Sequence, residues 1–139
     1  MRQALGELQI ATPGQGLVEV TGEVARWVAE QGIRDGLLTV FCRHTSASLT
    51  IQENADPDVQ RDLDTFFKRL VAEDPSLYVH IVEGPDDMPA HIRSALTDVS
   101  LSIPVADARM ALGTWQGLYL FEHRHRPHRR KLALQLMGD

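Results

Sequence analysis

One cysteine in 139 residues excludes a disulfide framework and any cysteine-rich zinc or iron–sulfur centre. Lysine is almost as scarce, with two against twelve arginines, a skew that suits bidentate recognition of phosphate or carboxylate. No apolar run approaches the ~20 residues needed to span a bilayer. The opening Met1-Arg2-Gln3-Ala4-Leu5-Gly6-Glu7 lacks the continuous apolar stretch of a secretory signal. No membrane association and a cytoplasmic location are therefore expected. Missing too are the Gly-x-x-x-x-Gly-Lys-Ser/Thr and Gly-x-Gly-x-x-Gly loops, which leaves nucleotide binding by those routes unsupported. Without a Gly-x-Ser-x-Gly elbow, Ser46 and Ser48 are poor candidates for a serine hydrolase. Basic charge is in deficit as well: a net charge of −5 disfavours nucleic acid as a partner.

What is present is a globular composition, 43% hydrophobic and 24% charged, in a chain of the size of one domain over residues 1–139. Strand patterns fall at 3–12, 17–20, 37–42 and 47–52, and the almost unbroken 37–42 run reads as a central strand covered on both faces. Thr21 and Asp56 read as helix caps, the second reinforced by Pro57 at the first helical position. A third helix starts around residues 87–89, with Ile92, Ala95, Leu96 and Val99 expected towards the core. Strands return at 100–105, 117–123 and 130–137. The pattern predicts an α+β domain: a largely antiparallel β-sheet with about three helices packed on one face.

Four segments carry polar residues that this pattern does not require. His44-Thr45-Ser46-Ala47-Ser48 follows a strand end, where scaffolds present functional groups, although a plain polar turn would look the same. In Gln52-Glu53-Asn54-Ala55-Asp56, Asn54 and Glu53 are not needed to start the helix. The densest stretch runs from His80 through Glu83, Asp86 and Asp87 to His91. Asp87 and His91 share a helix face, so they can hold one divalent ion, or the carboxylate can orient the imidazole for proton transfer. Alternatively, Asp86 or Asp87 simply caps the helix and His91 is solvated. The fourth segment, Gly113 to Arg124, ends a central strand with Glu122 and Arg124 on one side, either paired with each other or facing a ligand.

Taken together and in order, His44-Thr45-Ser46-Ala47-Ser48-Leu49-Thr50 with Glu53-Asn54-Ala55-Asp56-Pro57, then Glu83-Gly84-Pro85-Asp86-Asp87-Met88-Pro89-Ala90-His91-Ile92, then Gly113-Thr114-Trp115-Gln116-Gly117 with Glu122-His123-Arg124, resemble the YjbQ-like family, the secondary thiamine-phosphate synthases. The resemblance covers the chain from about Gly16 onward. Two places depart from the family pattern: His125-Arg126-Pro127-His128 replaces a glycine-bearing loop, and Ala108-Arg109 stands for Gly-Arg.

The resemblance implies one antiparallel-dominated sheet, a homotrimer with sites near subunit interfaces, and a polar pocket able to hold a divalent metal such as zinc, magnesium or manganese. It implies His80, Asp87 and His91 as metal ligands, with His44 and Glu122 as the acid/base or orienting pair. Asn54, Gln116, Arg124 and Glu83 would bind a small phosphorylated metabolite. The implied activity is a transferase of thiamine-phosphate synthase type, joining a thiazole phosphate to a pyrimidine pyrophosphate. A non-catalytic metabolite- or phosphate-binding regulatory protein is the alternative.

Overall fold

In the computed structural model, which describes residues 1–139, eleven-residue strands at the two ends of the chain pair along their whole length. β1 (Arg2–Thr12) lies antiparallel to β8 (His128–Gly138) from Arg2 opposite Gly138 to Thr12 opposite His128. β8 also pairs with β3 (Gly36–Cys42), which pairs with β5 (Ser100–Ala106), and the short β6 (Arg109–Met110) closes the five-stranded order β1-β8-β3-β5-β6. β2 (Gly16–Glu19), β7 (Gln116–Glu122) and β4 (Ala47–Glu53) form a second, three-stranded sheet in the order β2-β7-β4. Every pairing is antiparallel. The α+β class holds, but the strands divide between two sheets rather than forming one.

The reason lies in which side chains each strand can bury. On β8, Leu132, Leu134 and Leu136 point inward, matched on β3 by Leu38, Val40 and Cys42 and on β5 by Leu101, Ile103 and Val105. These meet Leu49, Leu118 and Leu120 of the smaller sheet in one cluster of 18 buried apolar residues. Each fully buried Leu or Ile contributes about 1.5–3 kcal/mol relative to exposure, so this seam dominates stability. β7 is buried on both sides from Gly117 to Glu122. β3 is not: Leu37 and Phe41 remain exposed on its outer side, so the expectation of cover on both faces fails within one chain. Alternation, not a continuous apolar run, is what that strand presents.

Three helices complete the fold. α1 (Thr21–Glu30) buries Val24 and Val28, and its Trp27 lies against β1, where a Cβ on Gly6 would fall 2.3 Å from the indole nitrogen. Thr21 does not cap it; the hydroxyl donates to Glu19 and accepts from the Leu118 N–H, tying the helix start to β7. α2 (Pro57–Leu70) starts as expected, with Asp56 accepting from the Asp58 N–H at 2.9 Å. Its Phe67 meets Phe121 of β7 edge-on at 5.4 Å.

α3 (Asp87–Leu96) begins where the sequence pattern places it, but its buried face comprises Asp87, Pro89, Ala90 and Arg93, while Leu96 and Val99 are exposed. Arg93 turns inward because it donates to the Phe67 and Val71 carbonyls at the end of α2, an interaction that rotates α3 away from the apolar stripe. The Ala108 departure sits in a two-residue hairpin between β5 and β6, where Asp107 and Ala108 have φ of 53° and 62°. No helix is long and apolar enough to cross a membrane.

Candidate functional site

β4 and β7 run antiparallel with Ala47 opposite Glu122 and Glu53 opposite Gln116. One end of this pair therefore gathers the His44 loop, Glu122 and Arg124, and the start of α3 comes to the same end. A β-bridge between Leu49 and Asp98 and the Ser94–Ala47 hydrogen bond hold α3 against β4.

There Asp87 receives three partners. Its Oδ2 lies 2.8 Å from His80 Nε2 and 3.0 Å from His91 Nε2, and its Oδ1 accepts from Arg124 Nη1 at 2.8 Å. His91 Nδ1 donates to the Thr45 carbonyl at 2.9 Å, which assigns that ring's proton to Nδ1. The Nε2 lone pair of a neutral His91 then faces a carboxylate oxygen. Two lone pairs at this distance repel unless a second proton or a cation lies between them. The donor atoms of His80, Asp87 and His91 all lie within 4.8 Å of one another, and each is suited to zinc or a similar divalent ion. The residues present fit such an ion, with the Thr45 carbonyl and Arg124 as the outer partners that orient metal-binding groups. Burial alone would raise the Asp87 carboxyl, but His80, His91 and Arg124 together hold it below its ordinary value.

Arg124 is fully engaged. Besides Asp87, it donates through Nε to Asp86 at 2.9 Å and through Nη2 to the Glu83 carbonyl at 2.9 Å. Asp86 also accepts the His125 N–H; burial opposes its ionisation, but Arg124 and this amide bring its pKa down to about 2. The bond from Asp86 in turn raises the Arg124 pKa. The expected phosphate ligand is thus a clamp on the acidic loop. Glu83 joins that clamp through its main chain, and its side chain is exposed.

Glu122 takes only the main-chain N–H of Arg124, at 3.2 Å, and does not pair with its guanidinium, nor does it meet His44. It is wholly buried, and its oxygens accept from Arg130 Nε at 2.8 Å, from Arg130 Nη2 and from Thr12 Oγ1 at 2.7 Å. Burial would raise its carboxyl, and these donors outweigh that and lower it. His44 Nε2 accepts the Lys131 N–H at 2.7 Å, so the neutral ring carries its proton on Nδ1. Burial and then the Arg130 charge depress its pKa, favouring that neutral form.

Asn54 and Gln116 lie at the opposite end of β4 and β7, about 20 Å along the strands from Glu122. Asn54 Nδ2 donates to Glu19, and Gln116 Oε1 accepts the Gly113 N–H. Within one chain they do not join the histidine cluster.

Two adjoining cavities open beside it. One of about 260 Å³ is lined by His91, Ser94, Ala95 and Ala47, and shares His44, Thr45 and Val99 with a larger one of about 550 Å³ that also reaches Phe41, Arg43 and Arg130. The sequence reading missed Arg130. Its phase with Leu132, Leu134 and Leu136 on β8 was the available signal, since an inward guanidinium demands an inward carboxylate. Arg43 gave no such signal.

An α+β domain of two antiparallel sheets, with a histidine–aspartate cluster at the end of the inner sheet, is therefore the class of molecule this sequence builds. Residues 6–139 match the family model described as UPF0047 protein YjbQ-like, and the chain belongs to that family. It is similar to the UPF0047 protein sll1880 of Synechocystis sp., 54% identical over 99% of this chain and 94% of that protein. The UPF0047 protein YjbQ of Escherichia coli O157:H7 is 41% identical over 95% of this chain and 96% of its own length. Among solved structures, the conserved hypothetical protein TT1486 from Thermus thermophilus superposes with a TM-score of 0.84 at 32% identity, covering 95% of this chain and 99% of that one.

Proposed function

We propose that this chain is a metal-assisted transferase acting on a small phosphorylated substrate, of the thiamine-phosphate synthase type that its motifs resemble. The observation that carries the reading is His91, whose Nδ1–H is committed to Thr45 while its Nε2 faces His80 and Asp87 beside an open cavity. His80, Asp87 and His91 would hold one divalent ion. When bound, such an ion neutralises charge building on a departing pyrophosphate.

The chain's own groups do the remaining work. The larger cavity offers Phe41 and Val99 as apolar wall, with Arg43 as the phosphate partner in place of Arg124. Arg130, whose Nε and Nη2 are spent on Glu122 and the Ser46 carbonyl, braces that wall from the core side. His44 faces substrate as an Nδ1–H donor. In the proposed reaction a thiazole nitrogen forms a bond to the pyrimidine methylene carbon while the carbon–oxygen bond to pyrophosphate breaks. His44 would stabilise developing negative charge on an oxygen, and would not remove a proton.

The single buried thiol, Cys42, suits a cytoplasmic setting. The homotrimer reading draws support from the outer side of the larger sheet, where Leu5, Leu37, Phe41 and Met137 are exposed. Phe41 also lines the larger cavity, so a second copy against this face would roof the site.

The test is elemental analysis and turnover of thiazole phosphate with pyrimidine pyrophosphate, on wild type and Asp87→Ala, with sedimentation on the same samples. About one divalent ion per chain, with ion and turnover both lost in a folded Asp87→Ala trimer, is the expected result. Turnover surviving in Asp87→Ala overturns the mechanism. Tight binding of either substrate without reaction replaces it with the non-catalytic reading.

A further inference from the structure

Two buried side-chain atoms in the chain have no hydrogen-bond partner: Arg93 Nη1 and His123 Nδ1. The first matters more, because it belongs to a charge. Arg93 is 1% exposed, spends Nε and Nη2 on the Phe67 and Val71 carbonyls, and makes no ion pair. A buried guanidinium with an unpartnered Nη1 and no carboxylate in contact, Glu73 and Asp64 acting on it only at longer range, is costly unless something negative completes it. Arg93 also lines a cavity of about 350 Å³ whose five wall residues include no apolar one: Gln15, Lys68, Glu73, Arg93 and His125. That cavity shares no wall residue with the two beside His44.

We propose that this cavity is a separate anion site, which takes a phosphate-type oxyanion with Arg93 as its anchor and with Lys68, His125 and Gln15 as further donors. The wall already contains one carboxylate, Glu73, which holds His125 Nε2 at 2.6 Å, and Lys68 is paired with Asp64 at 2.7 Å. An entering oxyanion competes with Glu73 for the imidazole, so Glu73 sets the affinity. The His125 N–H donates to Asp86, whose neighbour Asp87 faces the histidines, so one hydrogen bond and one peptide unit link the site to the candidate metal centre. The site does not depend on that centre being a catalyst. A second phosphate, whether the free ion or the end of a larger metabolite, is the ligand its chemistry fits.

The experiment is a titration of EDTA-treated, nitrogen-15-labelled protein with inorganic phosphate, and in parallel with a sugar phosphate monoester. Arg93 Nε–H and the Gln15 and His125 amides are expected to shift saturably. Lys68→Ala should weaken binding roughly tenfold and Glu73→Gln should tighten it, opposite signs that a merely structural role would not give. Tighter binding of the monoester identifies a larger ligand, and tighter binding of phosphate identifies the free ion. Absence of a saturable shift at Arg93, or shifts unaltered in both variants, overturns the proposal. Both variants alter partly exposed side chains, so folding is not at stake. Because the ion is stripped, failure here leaves the transferase reading standing, and loss of turnover in Asp87→Ala leaves this one standing.

Discussion

Two arginine–carboxylate clusters form at the same end of β7, and they are finished differently. Glu122 and Arg130 are sealed: both are buried, and Thr12 and Ser46 take up further hydrogen-bonding capacity. Asp87 and Arg124 are sealed only on one side. Arg124 satisfies Oδ1, whereas Oδ2 is left facing two imidazoles that are themselves partly exposed. A charge pair with every lone pair satisfied is framework. A carboxylate fixed by one oxygen, with the other aimed at accessible nitrogen donors, is a place where a ligand adds something the protein lacks.

The comparison can be broken most forcefully at the sealed cluster. Glu122→Gln strands the Arg130 charge in the core and is expected to cost about 3–5 kcal/mol, read from urea unfolding. A loss below about 1 kcal/mol, the range of exposed pairs, would mean the pair is solvated and the contrast false. At the open cluster the sign of the interest reverses. Arg124→Lys keeps the charge but loses the fork, and should weaken divalent-ion binding by roughly 10–100-fold with little effect on the unfolding midpoint. Calorimetric titration with zinc checks this, and unaltered affinity would separate Arg124 from the centre.

A third test concerns His123, which stands between the two clusters in sequence. Burial, then the nearby Arg93 charge, push its pKa down to about 3, so the native state binds fewer protons than the unfolded chain between that value and the ordinary imidazole range. Its contribution is therefore whole above about pH 6.5 and is lost as pH falls towards 3, at up to about 1.4 kcal/mol per unit. Asp86, held near 2, adds loss as pH falls through the ordinary carboxylate range, and the lowered Asp87 and Glu122 carboxyls do the same. Urea midpoints from about pH 7 to about pH 5, above the ordinary carboxylate range, should slope in wild type and slope less in His123→Gln, the remainder coming from His44, whose pKa is lowered as well. Parallel slopes would exclude His123 as their source.

Much of this was legible in advance where the signal is local. Asp56-Pro57 announces α2, and Asp87 with His91 sits at helical spacing and does share a face. What was not legible depends on pairing across the chain. Glu122 and Arg124 looked like partners because they are two apart on one strand, yet β8 brings Arg130 to Glu122 from the other sheet. Asn54 and Gln116 stand in the same motifs as His44 and Glu122, but antiparallel pairing sends them to the far end of β4 and β7. The inward turn of Arg93 follows from where α2 ends, which no window along α3 contains.

The placement of β8 has a further consequence, for the order of events during synthesis. This strand lies between β1 and β3, so the larger sheet has no middle until residues 128–138 have been made. Until then β1 and β3 each present an unpaired edge, and Leu38, Val40 and Ile10 lack the Leu132, Leu134 and Leu136 side of their cluster. The nascent chain must therefore wait with β1, its first-made strand, exposed, and sheet closure is a late, long-range event of the kind that folds slowly and invites intermolecular pairing.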